Sequence, residues 1–162
     1  MSSSDHLSRR EIIKGACTLY AATALGCAGE TTYTQSELTQ LEVWRKRADQ
    51  LETVGEYVYS AEEYPEGMNA DVHVPEVTIA NGYVTAFIDH VMEKEHWITT
   101  IYFRDQTGSV FYLREFLPTE VDEGYDKGVT AYAEIPKGVE EIAAFAFCNK
   151  HDHWWSGFLP VN

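Results

Sequence analysis

From residue 71 onward apolar and polar side chains alternate with a period of two, and turn residues break the alternation at short, regular intervals. A chain written this way folds into short strands that each bury one face. Tyr83–Asp89 sets Val84, Ala86, Ile88 and then His90 on one side, with Tyr83, Thr85 and Phe87 on the other. Asn81-Gly82 just before it is a turn dipeptide. Further upstream Val72, Val74 and Ile79, with Pro75 between them, predict an interrupted edge strand. Trp97–Arg104 and Ser109–Phe116 flank Asp105-Gln106-Thr107-Gly108 as a hairpin, and Val129–Ile135 and Glu141–Cys148 are expected to pair around Pro136-Lys137-Gly138. Short strands with this rhythm predict an all-β fold, an antiparallel β-sandwich over residues 67–162.

Residues 29–66 read differently. Thr34 followed three residues later by Glu37 is a capping box, and Leu38, Leu41, Trp44, Ala48 and Leu51 recur at helical spacing. The spacing predicts one short α-helix from Thr34 to about Thr53, ended by Gly55, with its apolar stripe packed on the core or on a partner. Glu62, Glu63, Pro65, Glu66 and Gly67 then read as an acidic linker.

Residues 1–28 are expected to be an address. Ser8-Arg9-Arg10-Glu11-Ile12-Ile13-Lys14 precedes an uncharged stretch, Gly15 to Gly26, which is too short for a membrane span of about 20 residues. The string SRREIIK resembles the twin-arginine export signal, which carries folded proteins, and implies a periplasmic or otherwise extracytoplasmic location. Gly26-Cys27-Ala28 offers a cleavage site. Ala24-Leu25-Gly26-Cys27 also resembles a lipoprotein box, so a lipid anchor at Cys27 stays open.

Charge narrows the partners. The 162 residues hold 12 basic and 26 acidic side chains, a net charge of −14. Such a surface repels phosphate backbones, so nucleic acid is not an expected partner. Three Cys are too few for a disulfide scaffold.

The chemistry lies in His and Cys. His73 sits in DVHVP, His90 and His96 in HVMEKEH, and Cys148 and His151 in CNKH at a strand end. Imidazole suits iron, copper and zinc, and a thiolate adds a soft, strong donor. Alone, each has a plainer reading: His73 as a surface residue, His90 as a core histidine, His96 as loop packing, Cys148 as a small buried hydrophobe. As a set they point to one metal site. His6 and His153 are taken as bystanders, His153 lying near the site or on the surface.

The ordered set HVP, then His90, Met92, Glu95, His96 and Ile98, then CNxH, resembles the superoxide reductases, the neelaredoxin and desulfoferrodoxin proteins. That resemblance implies an immunoglobulin-like β-sandwich carrying one iron ion, cycling between Fe2+ and Fe3+. It implies His73, His90, His96 and His151 as equatorial ligands and Cys148 as the axial thiolate. Backbone N–H groups of Asn149 and His151 are the expected donors to the sulfur. The implied substrate is superoxide, with electrons from an external donor such as a rubredoxin-like protein; a homo-oligomer is compatible with it. No CxxC element marks a second iron centre. Family members carry Glu-Lys just before the first His, whereas this chain has Asp71 and Val72. Asp71 is the candidate sixth ligand or proton group, and Lys94 and Lys150 are the candidate replacements for the anion-attracting lysine. Val91 stands where a proline is usual. Two other readings are a non-catalytic iron-binding redox or sensor module, and a cupredoxin-like copper protein. The latter wants two His, one Cys and a weak axial Met, and no Met follows Cys148.

Overall fold

The computed structural model describes residues 34–55, 57–116 and 128–162. The expected export segment, with Cys27, lies outside them. The helix forms as α1, Gln35–Val54, with Thr34 as its cap. The Thr34 hydroxyl accepts from the Glu37 N–H at 3.3 Å and the Glu37 carboxylate accepts from the Thr34 N–H at 2.6 Å. Gly55 closes the helix, its N–H donating to the Leu51 carbonyl.

Among the described residues eight strands follow: β1 Val58–Tyr59, β2 Glu76–Ala80, β3 Tyr83–Ile88, β4 Ile98–Asp105, β5 Val110–Glu115, β6 Val129–Glu134, β7 Glu141–Cys148 and β8 Asp152–Pro160. They make two sheets, a five-stranded one in the order β1-β8-β7-β4-β5 and a three-stranded one in the order β2-β3-β6. The main core fills the space between the sheets, with Val84, Ala86 and Ile88 from β3 facing Ile101 and Phe103 from β4 and Ile142, Ala144 and Ala146 from β7. α1 covers the outer face of the larger sheet. There Ala48 and Trp44 meet Tyr102, Val110, Leu113, Ala143 and Phe145. Tyr102 donates to the Glu52 carboxylate at 2.7 Å, and Arg104 pairs with the same oxygen at 2.7 Å, which fixes the helix over β4.

Two expectations need correction. β6 and β7 do not pair: β6 joins β3 (Val84 opposite Ala133), while β7 lies between β4 and β8. The chain changes sheets at Pro136–Gly138. Burial explains it, because β6 alternates buried and exposed and suits a sheet with one wet face. β7 is buried on both faces from Ile142 to Ala146, so it belongs where the sandwich interior and the helix cover both sides. The expected edge strand begins only at Glu76, since Ala70–Val72 is a single 3-10 turn capped by the Asn69 side chain, which accepts from the Asp71 N–H. The sequence reading also missed β8, whose Gly157 and Pro160 blur its alternation. It missed β1 as well, inside the segment read as linker, where Val58 and Tyr59 pair in parallel with His153 and Trp154.

Gly55 is required where α1 leaves the sheet. A Cβ there would lie 1.8 Å from Asp152 Oδ1, and that carboxylate is held in place by the Tyr57 N–H at 2.8 Å. Gly55→Ala is therefore expected to cost about 1–3 kcal/mol in a urea titration, as overpacked sites do. A loss below about 0.5 kcal/mol would mean that the Asp152 side chain can move aside without penalty.

Candidate metal centre

The two sheets bring His73, His90, His96, Cys148 and His151 to one point, their ligand atoms all within 4.8 Å of one another. Each arrives by its own local device. His73 ends the 3-10 turn, its backbone N–H donating to the Ala70 carbonyl and its ring Nδ1 donating to the Asn69 carbonyl at 2.6 Å. His90 continues the buried face of β3, and its Nδ1 donates to the Val91 carbonyl. A carbonyl can only accept, so both rings carry their proton on Nδ1 and turn a bare Nε2 lone pair inward.

His96 is set by a tight turn, with Glu93 and His96 exchanging both backbone hydrogen bonds at 2.9 and 3.0 Å and Lys94-Glu95 at the tip. Asn149 joins this turn to the Cys148 segment. Its Oδ1 accepts from the Trp97 N–H at 2.9 Å, its Nδ2 donates to the Glu95 carbonyl at 3.0 Å, and its own N–H donates to the Trp97 carbonyl at 3.2 Å. Cys148 is the last inward-facing residue of β7 and is fully buried. His151 follows in the turn before β8, its Nδ1 facing the other donors.

The spacings inside the group are short. His73 Nε2 lies 2.7 Å and His96 Nε2 3.2 Å from His151 Nδ1, and His90 Nε2 lies 3.1 Å from His73 Nε2. Cys148 Sγ is 3.7 Å from His90 Nε2 and 3.8 Å from His151 Nδ1. Neighbouring rings stand nearly perpendicular, at 71–90°. His73 Nε2 and His90 Nε2, both bare lone pairs, face each other at 3.1 Å, a contact that is repulsive unless a cation lies between them. Four imidazoles and a thiol exceed the four ligands zinc ordinarily takes and the two His of a blue-copper site, and Met92, buried in the main core, is not in the group. The donor set fits one iron ion.

Electrostatics agree. Burial holds the four imidazoles below their ordinary range, His90 to about 4, so they stay neutral and able to ligate. Burial pushes the Cys148 thiol up, while the backbone N–H groups of Lys150 and His151 and the Lys150 charge pull it back. The expected donor pair is thus half corrected: Asn149 spends its N–H on Trp97, and the Lys150 amide takes its place.

His73, His90 and Cys148 are buried, and His96 and His151 form the more open side. Lys150, exposed, lies beside that opening, its charge lowering the pKa of both His96 and His151. Lys94 is exposed at the tip of the His96 turn. Asp71 is exposed in the 3-10 turn and is not among the five convergent donors. His153 is fully buried on the helix side of β8, against Phe147 and 3.3 Å from Asp152 Oδ1, away from the metal group and not on the surface.

Trp154 escaped the sequence reading. It is fully buried, stacks on His73 at 4.7 Å and 20°, and donates from its indole N–H to the His151 carbonyl at 2.9 Å. The signal was the Trp154-Trp155 pair after His151, and without β8 no face could be assigned to it.

Acid should destabilise the metal-free protein. Protonation of His90 is held near pH 4 in the fold and occurs near 6.5 in the unfolded chain, so between those values the unfolded state binds more protons. Stability is full above about pH 6.5 and falls toward pH 4, by on the order of 3 kcal/mol for His90 alone. Denaturant midpoints of chelator-treated protein at several pH values check the sign, and a flat or rising midpoint on acidification would contradict it.

Residues 64–157 match the Desulfoferrodoxin family model, more than half of the 162-residue chain. None of the curated proteins compared with it matches. Among solved structures, the chain is similar to the superoxide reductase from Treponema pallidum, with 21% identity, covering 57% of this chain and 74% of that one at a TM-score of 0.45. It is similar to the superoxide reductase (1Fe-SOR) from Giardia intestinalis, with 19% identity over 56% and 98% of the two chains and a TM-score of 0.45. For the neelaredoxin from Ignicoccus hospitalis the values are 22%, 65%, 95% and 0.46.

Proposed function

Because the chain belongs to the desulfoferrodoxin family, we propose that it is a mononuclear iron superoxide reductase, exported and supplied with electrons by a separate donor. The observation that carries this reading is the convergence of four imidazoles and one thiol on a single point. Iron held by His73, His90, His96, His151 and Cys148 would supply the single electron that, with two protons, turns superoxide into hydrogen peroxide. The protein does the rest. Burial keeps the imidazoles neutral, and Cys148 would join them as the thiolate beside a bound cation. The N–H groups of Lys150 and His151 hold that sulfur and moderate the electron density it donates. The half-buried edge between His96 and His151 is the approach for a small anion, and Lys150 supplies positive potential there in a chain of net charge −14. Solvent at this edge can deliver the protons. Export through residues 1–28 belongs to the same proposal, and fractionation of cells producing the full chain tests it.

Lys150→Ala should lower the superoxide rate severalfold at low ionic strength and flatten its salt dependence, because steering is screened beyond about 10 Å at 0.1 M salt. Lys94→Ala should do less. Equal, salt-independent rates in both variants would remove the steering role.

The decisive experiment loads the full chain with iron anaerobically and follows superoxide loss against peroxide formed. A reductase yields one peroxide per superoxide; dismutation yields one per two. The competing reading, an iron-binding sensor, rests on Val72 standing where the family has lysine. It predicts iron binding without superoxide consumption.

A further inference from the structure

We propose that Tyr57 and Tyr64, with the exposed Glu62, Glu63 and Glu66 of the loop that carries Tyr64, form the docking face for a positively charged one-electron donor protein, and that Trp154 connects this face to His73. The inference rests on the reductase reading, since a reductase that turns over must be re-reduced from outside.

The path is a run of packed rings. His73 stacks on Trp154 at 4.7 Å. Trp154 packs against Tyr59 at 5.2 Å and Tyr64 at 6.0 Å, and Tyr59 stacks on Tyr57 at 5.9 Å. Trp154 is fully buried, whereas Tyr57 is 51% and Tyr64 43% exposed, so the run begins at the metal group and ends in solvent at two aromatic rings. Exposed tyrosines of this kind suit protein contacts, with an apolar body and a polar tip.

Charge names the partner. From Ala48 to Glu93 the sequence contains no Lys or Arg, while Glu62, Glu63, Glu66 and Asp71 are exposed along the loop carrying Tyr64 and His73. The edge between His96 and His151 has Lys150 beside it as well as Glu93, whose charges act on His96 in opposite directions. The centre therefore has one approach where a lysine is present for an anionic substrate, and another, along the Tyr64 loop, that carries carboxylates without Lys or Arg and suits a cationic protein. Both can engage the centre without competing for one opening. One electron passes from the donor to the oxidised centre; the donor is oxidised by one, the centre is reduced by one, and the rings keep their own electrons because they only shorten the gaps.

The test uses the iron-loaded full chain, anaerobically, with mammalian cytochrome c as the basic one-electron probe and rubredoxin as the acidic one. Electron exchange is followed from the probe's absorbance. Glu62→Lys with Glu66→Lys should slow exchange with cytochrome c about tenfold or more at low salt, and the gap should close toward 1 M salt. Glu134→Lys with Glu141→Lys changes the net charge equally at the strand ends away from Ile88 and Cys148, and should alter the rate less than about twofold, the size expected of a distant charge. Tyr64→Ala should slow the limiting exchange rate at saturating cytochrome c. Equal slowing by the two charge pairs, or faster exchange with rubredoxin than with cytochrome c, overturns the proposal. Single-turnover superoxide consumption is read on the same samples. Exchange that follows the predicted pattern in a protein inert toward superoxide would keep the docking face and sink the reductase reading.

Discussion

Cys148→Ser is expected to cut superoxide consumption by at least about 100-fold, a larger loss than neighbours of metal ligands typically cause, and to abolish the visible thiolate-to-iron absorption. Sγ is fully buried at the end of β7 and lies within 3.8 Å of two imidazole nitrogens, so no other side chain can take its place without moving a strand. A serine hydroxyl is a harder, far weaker donor and does not deprotonate as a thiol does beside a cation. The fold should survive. The hydroxyl can accept from the N–H groups of Lys150 and His151 that now serve the sulfur, so the stability change should stay near 1 kcal/mol. Iron content, absorption spectrum and rate measured on one preparation separate loss of the ligand from loss of the fold. A variant that kept both the absorption band and the rate would remove Cys148 from the centre.

Trp154→Ala should produce the largest loss of stability of any variant discussed, about 3–5 kcal/mol in a denaturant titration. The indole is fully buried among His73, Tyr59 and Tyr64, and its N–H satisfies the His151 carbonyl. Removing it leaves a cavity behind one member of the metal group and an unpaired carbonyl at another. Trp154→Phe keeps most of the ring and loses the hydrogen bond, so it should cost roughly 1–3 kcal/mol, the penalty of an unsatisfied buried acceptor. If both substitutions cost the same, the hydrogen bond and not the packing would be the larger contribution.

How far the fold could be read beforehand varies by element. α1 was legible to within a residue, because its capping box and Gly55 are local signals that need nothing from the rest of the chain. β3, β4 and β5 were legible for the same reason: their turns, Asn81-Gly82 and Asp105–Gly108, carry their own chemistry, with Asn81 and Gly82 at φ of 54° and 79°. The Asp105 carboxylate accepts from the Thr107 and Ser109 N–H groups. β6 and β7 are neighbours in sequence and not in the sheet, since β6 pairs with β3 and β7 with β4 and β8. Period-two patterning states which face of a strand is buried and is silent about which strand lies beside it. Asp152 was not singled out at all, yet it holds a φ of 65°, accepts from the Tyr57 N–H, and ties the exit of α1 to the turn that carries His151.

The same division runs through the metal group. Its five members could be named from residue types and spacing, since the chemistry of imidazole and thiol does not depend on the path of the backbone. The His151 amide could be named, whereas the Lys150 amide, which rings face outward and what stands behind His73 could not. Those follow from the side on which β8 returns and from Asn149 committing its N–H to Trp97. What the sequence determined by itself was the set of local elements and the identity of the donors, because both are written within a few residues of one another. The tertiary structure decided the sheet order, the open edge beside Lys150 and the ring stack through Trp154, because each depends on which distant surfaces bury one another most completely.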